Sequence, residues 1–320
     1  MPDLMTVGDY ARQLVQRRRN AEVRARMDTL ANEAGGGRRA DLAGALRGDF
    51  TRLAAFERDL ADLAAYEMAT SEMRTRLSAA QTALGQVQAD TADFAGTMMA
   101  ATNGTGLAAD VIADDARGRF ASAVAALNSD VAGLSLFSGT MTEGPALAAA
   151  ADMLAALEGI ASAEPDGASA ETAIRAWFAP GGGFDTAGYL GDATPVPDRP
   201  VGPGTTIGLG VTAADMALRE VLAGLAVGAL SGAGPMAGDA EAQRERLANA
   251  GVSLAGAQTG LSDLRGRVGA AEARLEEATS RNAAEAAALE IARAGLTDVD
   301  IYETATKLEA VQSQLELLYA

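Results

Sequence analysis

The chain of 320 residues contains neither cysteine nor histidine. Without thiols there are no disulfides, no thiolate nucleophile and no thiolate zinc site, and without imidazole the usual general base and the commonest metal ligand are missing. Aromatic residues make up 4% of a chain that is 48% hydrophobic. An interior of alanine, leucine and valine favours thin helical layers over one large globular core. Positive charge is scarce as well: the formal net charge is -17 and the sequence pI is near 4.4. That balance argues against nucleic acid or an anionic membrane as the main partner, since both attract basic surface. The longest apolar run, Val221 to Leu230, is too short for a membrane span and is diluted by glycine. Residues 1–19 lack the apolar centre of a cleaved secretory signal. The expectation is a soluble chain that is not an enzyme, holds no cofactor or metal, binds no nucleic acid, inserts in no membrane, and leaves the cell, if it does, without a cleaved signal.

What is present is helix-forming sequence at both ends. Leu261, Leu264, Val268, Ala271, Leu275, Ala278, Leu289 and Ala292 follow an alternating spacing of three and four, interrupted at Asn282 and Glu285. Ile301, Thr304, Leu308, Val311, Leu315 and Leu318 resume it, and Met73, Leu77, Ala80, Leu84, Val87, Thr91, Phe94 and Met98 show it in the first third of the chain. This is the seam of long helices packed on partner helices. Two such helices far apart in sequence pair most simply antiparallel, although core helices of a compact bundle carry the same stripes.

The pattern divides the chain. Residues 1–34 read as a helical arm with Leu4, Val7, Ala11, Leu14 and Val15 on one side, followed by Arg17, Arg18 and Arg19 and ended by Gly35-Gly36-Gly37. A long amphipathic helix is expected over about 49–101, closing near Asn103-Gly104, and a third over about 109–134. From Glu143 to Gly234 prolines and glycines interrupt short elements, with strands expected at Thr205–Ile207 and Leu209–Val211 and a helix at Asp215–Ala229. The expected fold is mainly α: an elongated antiparallel bundle or coiled coil made from both chain ends, with a small mixed α/β domain inserted in the middle. The boundaries are terminal arms at 1–45 and 296–320, a helical rod at 46–142 and 236–295, and an inserted outer domain at 143–235.

Three local patterns invite chemistry. Gly208-Leu209-Gly210-Val211-Thr212-Ala213 fits a dinucleotide-binding G-x-G-x-x-A, but the glycine-rich sequence downstream offers no parallel strand with an acidic ribose ligand, so a turn is expected. Asp298, Asp300 and Glu303 group three carboxylates without the glycine and spacing of a calcium loop; Thr297 and Asp300 fit a capping box restarting a helix after Gly295. Glu272, Glu276 and Glu277 with Arg265, Arg267, Arg274 and Arg281 read as exposed ion pairs on one helix.

Four stretches carry a resemblance: Thr6-Val7-Gly8-Asp9-Tyr10-Ala11, Leu30 to Arg39 with its triple glycine, Leu134-Ser-Leu-Phe-Ser-Gly-Thr140, and Asp298 to Leu315. In this order they resemble the flagellin-like hook-filament junction proteins, the hook-associated protein type 3 family. The resemblance implies export through the flagellar channel with the help of an export chaperone and assembly as a homo-oligomeric ring between a neighbouring hook-associated protein and flagellin. It implies that the chain ends pair as inner helices, with Leu4, Val7, Ala11, Leu14, Leu308, Val311, Leu315 and Leu318 packing between subunits, while Met73 to Met98 and Leu261 to Leu289 form the outer bundle. Separately, end helices whose apolar stripes lack a partner cannot offset the entropy of ordering, so residues before about Gly37 and after about Asp298 are expected to be largely disordered in the monomer while the central bundle is folded. The chain departs from the family at Arg38-Arg39-Ala40-Asp41-Leu42 and stops at Leu318-Tyr319-Ala320 where the family usually continues. Alternatives are a flagellin-type filament subunit and an intracellular coiled-coil adaptor.

Overall fold

The computed structural model describes residues 7–101 and 108–319. Nine α-helices are found among them: α1 Val7–Gly36, α2 Leu42–Ala45, α3 Thr51–Ala100, α4 Ala109–Leu127, α5 Ala150–Ser162, α6 Gly167–Phe178, α7 Met216–Leu230, α8 Ala240–Thr297 and α9 Ile301–Tyr319. Two short antiparallel hairpins join them, β1 Asp130–Val131 with β2 Leu134–Ser135 and β3 Arg199–Gly202 with β4 Thr205–Ile207. The fold is thus mainly α, with long helices from both ends of the chain. None of the described helices is long and apolar enough to cross a membrane. The chain divides into two compact units, one of described residues up to Ala65 and from Arg281 onward, the other Tyr66–Ser280. The glycines expected to follow the long helix at Asn103-Gly104 lie outside the described residues.

In the Tyr66–Ser280 unit α3 and α8 run antiparallel. Arg74 meets Glu276 at 3.4 Å, Gln81 donates to the Arg265 carbonyl at 2.8 Å, and Gln258 donates to the Thr91 hydroxyl at 2.9 Å. As the α3 number rises, its partner's falls. Every α3 residue of the three-four stripe, from Met73 to Met98, is buried, as are Leu261, Leu264, Val268, Ala271, Leu275 and Ala278 of α8. Three of the charged residues expected to pair along α8 reach other elements: Glu276 meets Arg74, Arg265 bonds Gln81 and Gln88 of α3, and Arg267 bonds Asp215 at 2.9 Å. A neighbouring element at bonding distance outcompetes exposed pairs spaced along one helix, which contribute only tenths of a kcal/mol.

The helix expected to run to 134 ends at Leu127. Asn128 turns its amide to Leu147, donating to the carbonyl at 3.0 Å and accepting from the N–H at 2.7 Å. Beyond it Ala132 and Gly133 take φ of 55° and 77°, the two-residue turn that joins a tight hairpin, with the Asp130 carboxylate accepting from the Gly133 N–H at 2.9 Å.

Residues 143–235 hold α5, α6, a π-helical turn at Phe184–Gly188, the β3–β4 hairpin and α7. Their buried residues share one hydrophobic core with α3, α4 and α8: α7 is buried from Val221 to Leu230, and a Cβ on its Gly228 would meet Ala116 of α4 at 3.1 Å. Trp177, Phe178, Phe184 and Tyr189 cluster, with ring centroids 4.8 Å apart for the first pair. Buried Arg219 lies over Phe184, donates to the Ala214 carbonyl at 2.7 Å and pairs with Asp185, so this charge is compensated on every side. The Gly181 N–H, and then Arg219, hold the Asp185 carboxyl below its ordinary range. Burial pushes the Tyr189 hydroxyl up to about 12, and it donates to the Asp192 carbonyl at 2.7 Å.

Glycine marks one close approach of α8 to α3. A Cβ at Gly251 would sit 2.8 Å from the Ala95 carbonyl oxygen and 3.0 Å from Met98 Cβ, whereas one at Gly266 would meet nothing within 4 Å. Gly251→Ala is therefore expected to destabilise the protein by about 1–3 kcal/mol through overpacking. Gly266→Ala is expected to stabilise it by about 0.5–1 kcal/mol through lower backbone entropy in the unfolded chain. Urea unfolding of the two variants checks the opposite signs.

Candidate subunit-packing surface

The unit holding the chain ends is closed by backbone. At the end of α1, Gly37 takes φ 68°, where glycine bears no Cβ penalty, and its N–H donates to the Glu33 carbonyl at 2.8 Å. The strand-like step that follows pairs with the break between α8 and α9. Arg38 bridges Asp298 antiparallel, Arg39 N–H donates to the Thr297 carbonyl at 2.8 Å, and Val299 N–H donates to the Gly37 carbonyl at 3.1 Å. This clip directs α9 back along α1. Gly295 does not stop α8, which continues to Thr297; Asp300 opens α9 by accepting from the N–H groups of Tyr302 and Glu303 at 2.9 and 3.1 Å. Glu303 pairs with Lys307 at 2.7 Å, and Asp298 accepts from the Thr297 hydroxyl at 2.8 Å. The three carboxylates considered for calcium thus serve a cap, an ion pair and a turn.

α9 packs on α1 through Thr304 and Val311, which are buried, and Leu308 and Leu315, which are half-buried. The facing side of α1 is Leu30, buried, with Asn20, Val23, Met27 and Ala34 half-buried. Both rows keep the three-four spacing of a two-helix seam. The ends are therefore helices packed on one another within a single chain, where disorder is expected for isolated stripes without a partner: the clip supplies the partner.

Running back from the clip at Gly37, the described residues of α9 lie along α1 as far as about Arg18. Leu308, Val311 and Leu315 accordingly meet the second half of α1, not its start. Leu318 is 39% exposed, Leu14 is 61% exposed, and Ala11 is exposed too. Leu4 lies outside the described residues, as does the side chain of Val7. Of the eight expected packing residues, the structure brings Leu308, Val311 and Leu315 together in one seam and leaves Ala11, Leu14 and Leu318 facing outward. Asn20, Val23, Met27 and Leu30 take the inner role on α1; their three-four spacing was the available sign.

Elsewhere the Gly208–Ala213 stretch follows an antiparallel hairpin. It forms a turn in which Asp215 accepts from the Thr212 N–H at 2.8 Å and from Arg267. The 380 Å³ cavity beside α6, α7 and α8 is walled by Phe178, Pro180, Met216 and Ala257, and its two arginines are held by carboxylates, Arg175 by Glu171 and Arg219 by Asp185.

Residues 253–320, the second part of α8 with α9, match the family described as bacterial flagellin C-terminal helical region. No curated protein matches the chain significantly. Over that region the chain is similar to flagellins, which supports a flagellin-like structural protein built on its terminal helices.

Hydrogen exchange is expected to divide α1. Amides from Asn20 to Gly36 and along α9 exchange slowly, while those from Tyr10 to Arg19 exchange close to the rate of an isolated helix, because packing and not propensity supplies most helix stability. Equal protection along all of α1 in monomeric protein would show a partner for its first half within the chain.

Proposed function

We propose that this chain is a structural subunit of the bacterial flagellum, joining hook to filament, exported without a cleaved signal and assembled into a ring through its terminal helices. The observation that carries the reading is the coincidence of the flagellin-like region with a helix that packs on the opposite end of the chain. The outward faces of that pair support assembly: Tyr10, Leu14 and Val15 on α1 and Tyr302 and Leu317 on α9 are all more than half exposed. Its neighbours in the assembly are a hook-associated protein on one side and flagellin on the other, with an export chaperone before assembly. Residues 1–45 and 296–320 act as the assembling arms, and residues 143–235 form the outer portion. A filament subunit is the second reading, favoured by the same match, because that family is defined on flagellin.

Deletion of the protein separates the two. Deletion of a junction subunit leaves hooks without filaments and flagellin free in the medium; deletion of a filament subunit leaves hooks without filaments and no flagellin in the medium. Leu315→Asp places a charge in the half-buried α1–α9 seam at a cost of about 1–3 kcal/mol. Cells carrying it are expected to export the protein and to shed flagellin, while the purified variant keeps the unfolding transition of Tyr66–Ser280. Normal filaments and motility in both strains would rule out the flagellar role.

A further inference from the structure

The seam of α1 does not continue into its first half. Extending the three-four rhythm backward from Ala34, Leu30, Met27, Val23 and Asn20 reaches Gln16, Gln13 and Asp9, all polar. The exposed residues Tyr10 and Arg17 lie about a quarter of a turn around the helix from that line, and Leu14, Arg18 and Ala21 farther round. A longer α9 would therefore pass over glutamines and leave the Tyr10–Leu14 stripe uncovered. This stripe also sits in the one basic stretch of an acidic chain: Tyr10 to Arg26 holds six arginines and one glutamate. Arg18 reaches only its neighbour Glu22, at 3.4 Å and almost fully in water, a pair of negligible strength.

The outward side of α9 has the complementary arrangement. Opposite Thr304, Leu308, Val311 and Leu315 runs the row Tyr302, Glu309, Glu316, spaced by seven and fully on the exposed side, with Ala310 and Leu317 beside it. On α1 the row Tyr10, Arg17, Arg24 has the same spacing of seven and the same exposure. Seven residues are about 10 Å along either helix, so two such rows lying parallel stay in register over their whole length. We infer that α1 of one molecule docks its Tyr10–Arg17–Arg24 row on the Tyr302–Glu309–Glu316 row of α9 in a second copy, placing Arg17 against Glu309 and Arg24 against Glu316, with Leu14 closing the apolar side. This contact deepens the reading of the chain as a self-assembling subunit and rests on it for its setting. The pairing is electrostatically selective: α1 against α1 opposes arginines, and α9 against α9 opposes glutamates.

The test is a charge swap in the full chain, read by sedimentation velocity over a range of salt. The unaltered protein is expected to self-associate, and less so as salt rises. Arg17→Glu with Arg24→Glu, and separately Glu309→Arg with Glu316→Arg, should each weaken association at least tenfold, and the fourfold variant should restore it. Circular dichroism and hydrogen exchange of Asn20–Gly36 establish that each variant keeps the α1–α9 seam. Failure of the fourfold variant to recover, or association untouched by either double variant, overturns the contact. So does binding of the first half of α1 to vesicles with one-third anionic lipid in the absence of self-association, which would make the basic stripe a membrane face. Recovery by the swap in a protein whose deletion leaves flagella intact would uphold the contact and remove the flagellar setting. Loss of filaments on deletion without recovery by the swap would do the reverse.

Discussion

Two helices drawn from opposite ends of a sequence can lie together over many turns only if their facing sides stay narrow and in step. α3 and α8 meet this demand with alanine, leucine and valine at three-four spacing and with glycine at position 251, where the Ala95 carbonyl leaves no room for a Cβ. The scarcity of aromatic residues follows from the same demand, since bulky rings would hold the backbones apart. Trp177, Phe178, Phe184 and Tyr189 gather where a helix meets irregular chain, around the π-helical turn; within the α3 stripe Phe94 is the one ring, beneath the Arg119 guanidinium of α4. Residues 143–235 take part in this packing through α7, whose last ten residues are all buried.

Much of this was legible because it is periodic. The Met73–Met98 and Leu261–Ala292 stripes have the rhythm of a packed helix, and every member is buried except Leu289 and Ala292, which are half-buried. Turn chemistry was legible in part: the Gly35–Gly37 break ends α1 as expected, and Asp300 does open a helix. What escaped depends on partners distant in sequence. The end of α4 is set by Asn128 meeting Leu147, and Arg265 and Arg267 of α8 find partners on α3 and at Asp215 just before α7. Leu209–Val211 is not a strand because β4 pairs with Arg199–Gly202 and is already spent at Ile207.

The packing surface shows a subtler limit. Ala11 and Leu14 look like part of an inner seam when counted alone, yet both are exposed, and the described residues of α9, turned back at Gly37, lie along α1 as far as about Arg18. The seam begins at Asn20, where an amide and not a leucine occupies the line. Hydrophobicity identified a helix that must be covered; the position of the clip decides which stretch of it meets α9.

The clip between Gly37–Arg39 and Thr297–Val299 joins residues some 260 positions apart. Closing so large a loop in an unstructured chain carries an entropy cost that falls once the intervening residues have folded and shortened it. The unit that holds Gly37–Arg39 and Thr297–Val299 is therefore expected to close after Tyr66–Ser280 has folded. Until then α1 has no α9 turned toward it, and the seam waits on a contact made elsewhere in the chain.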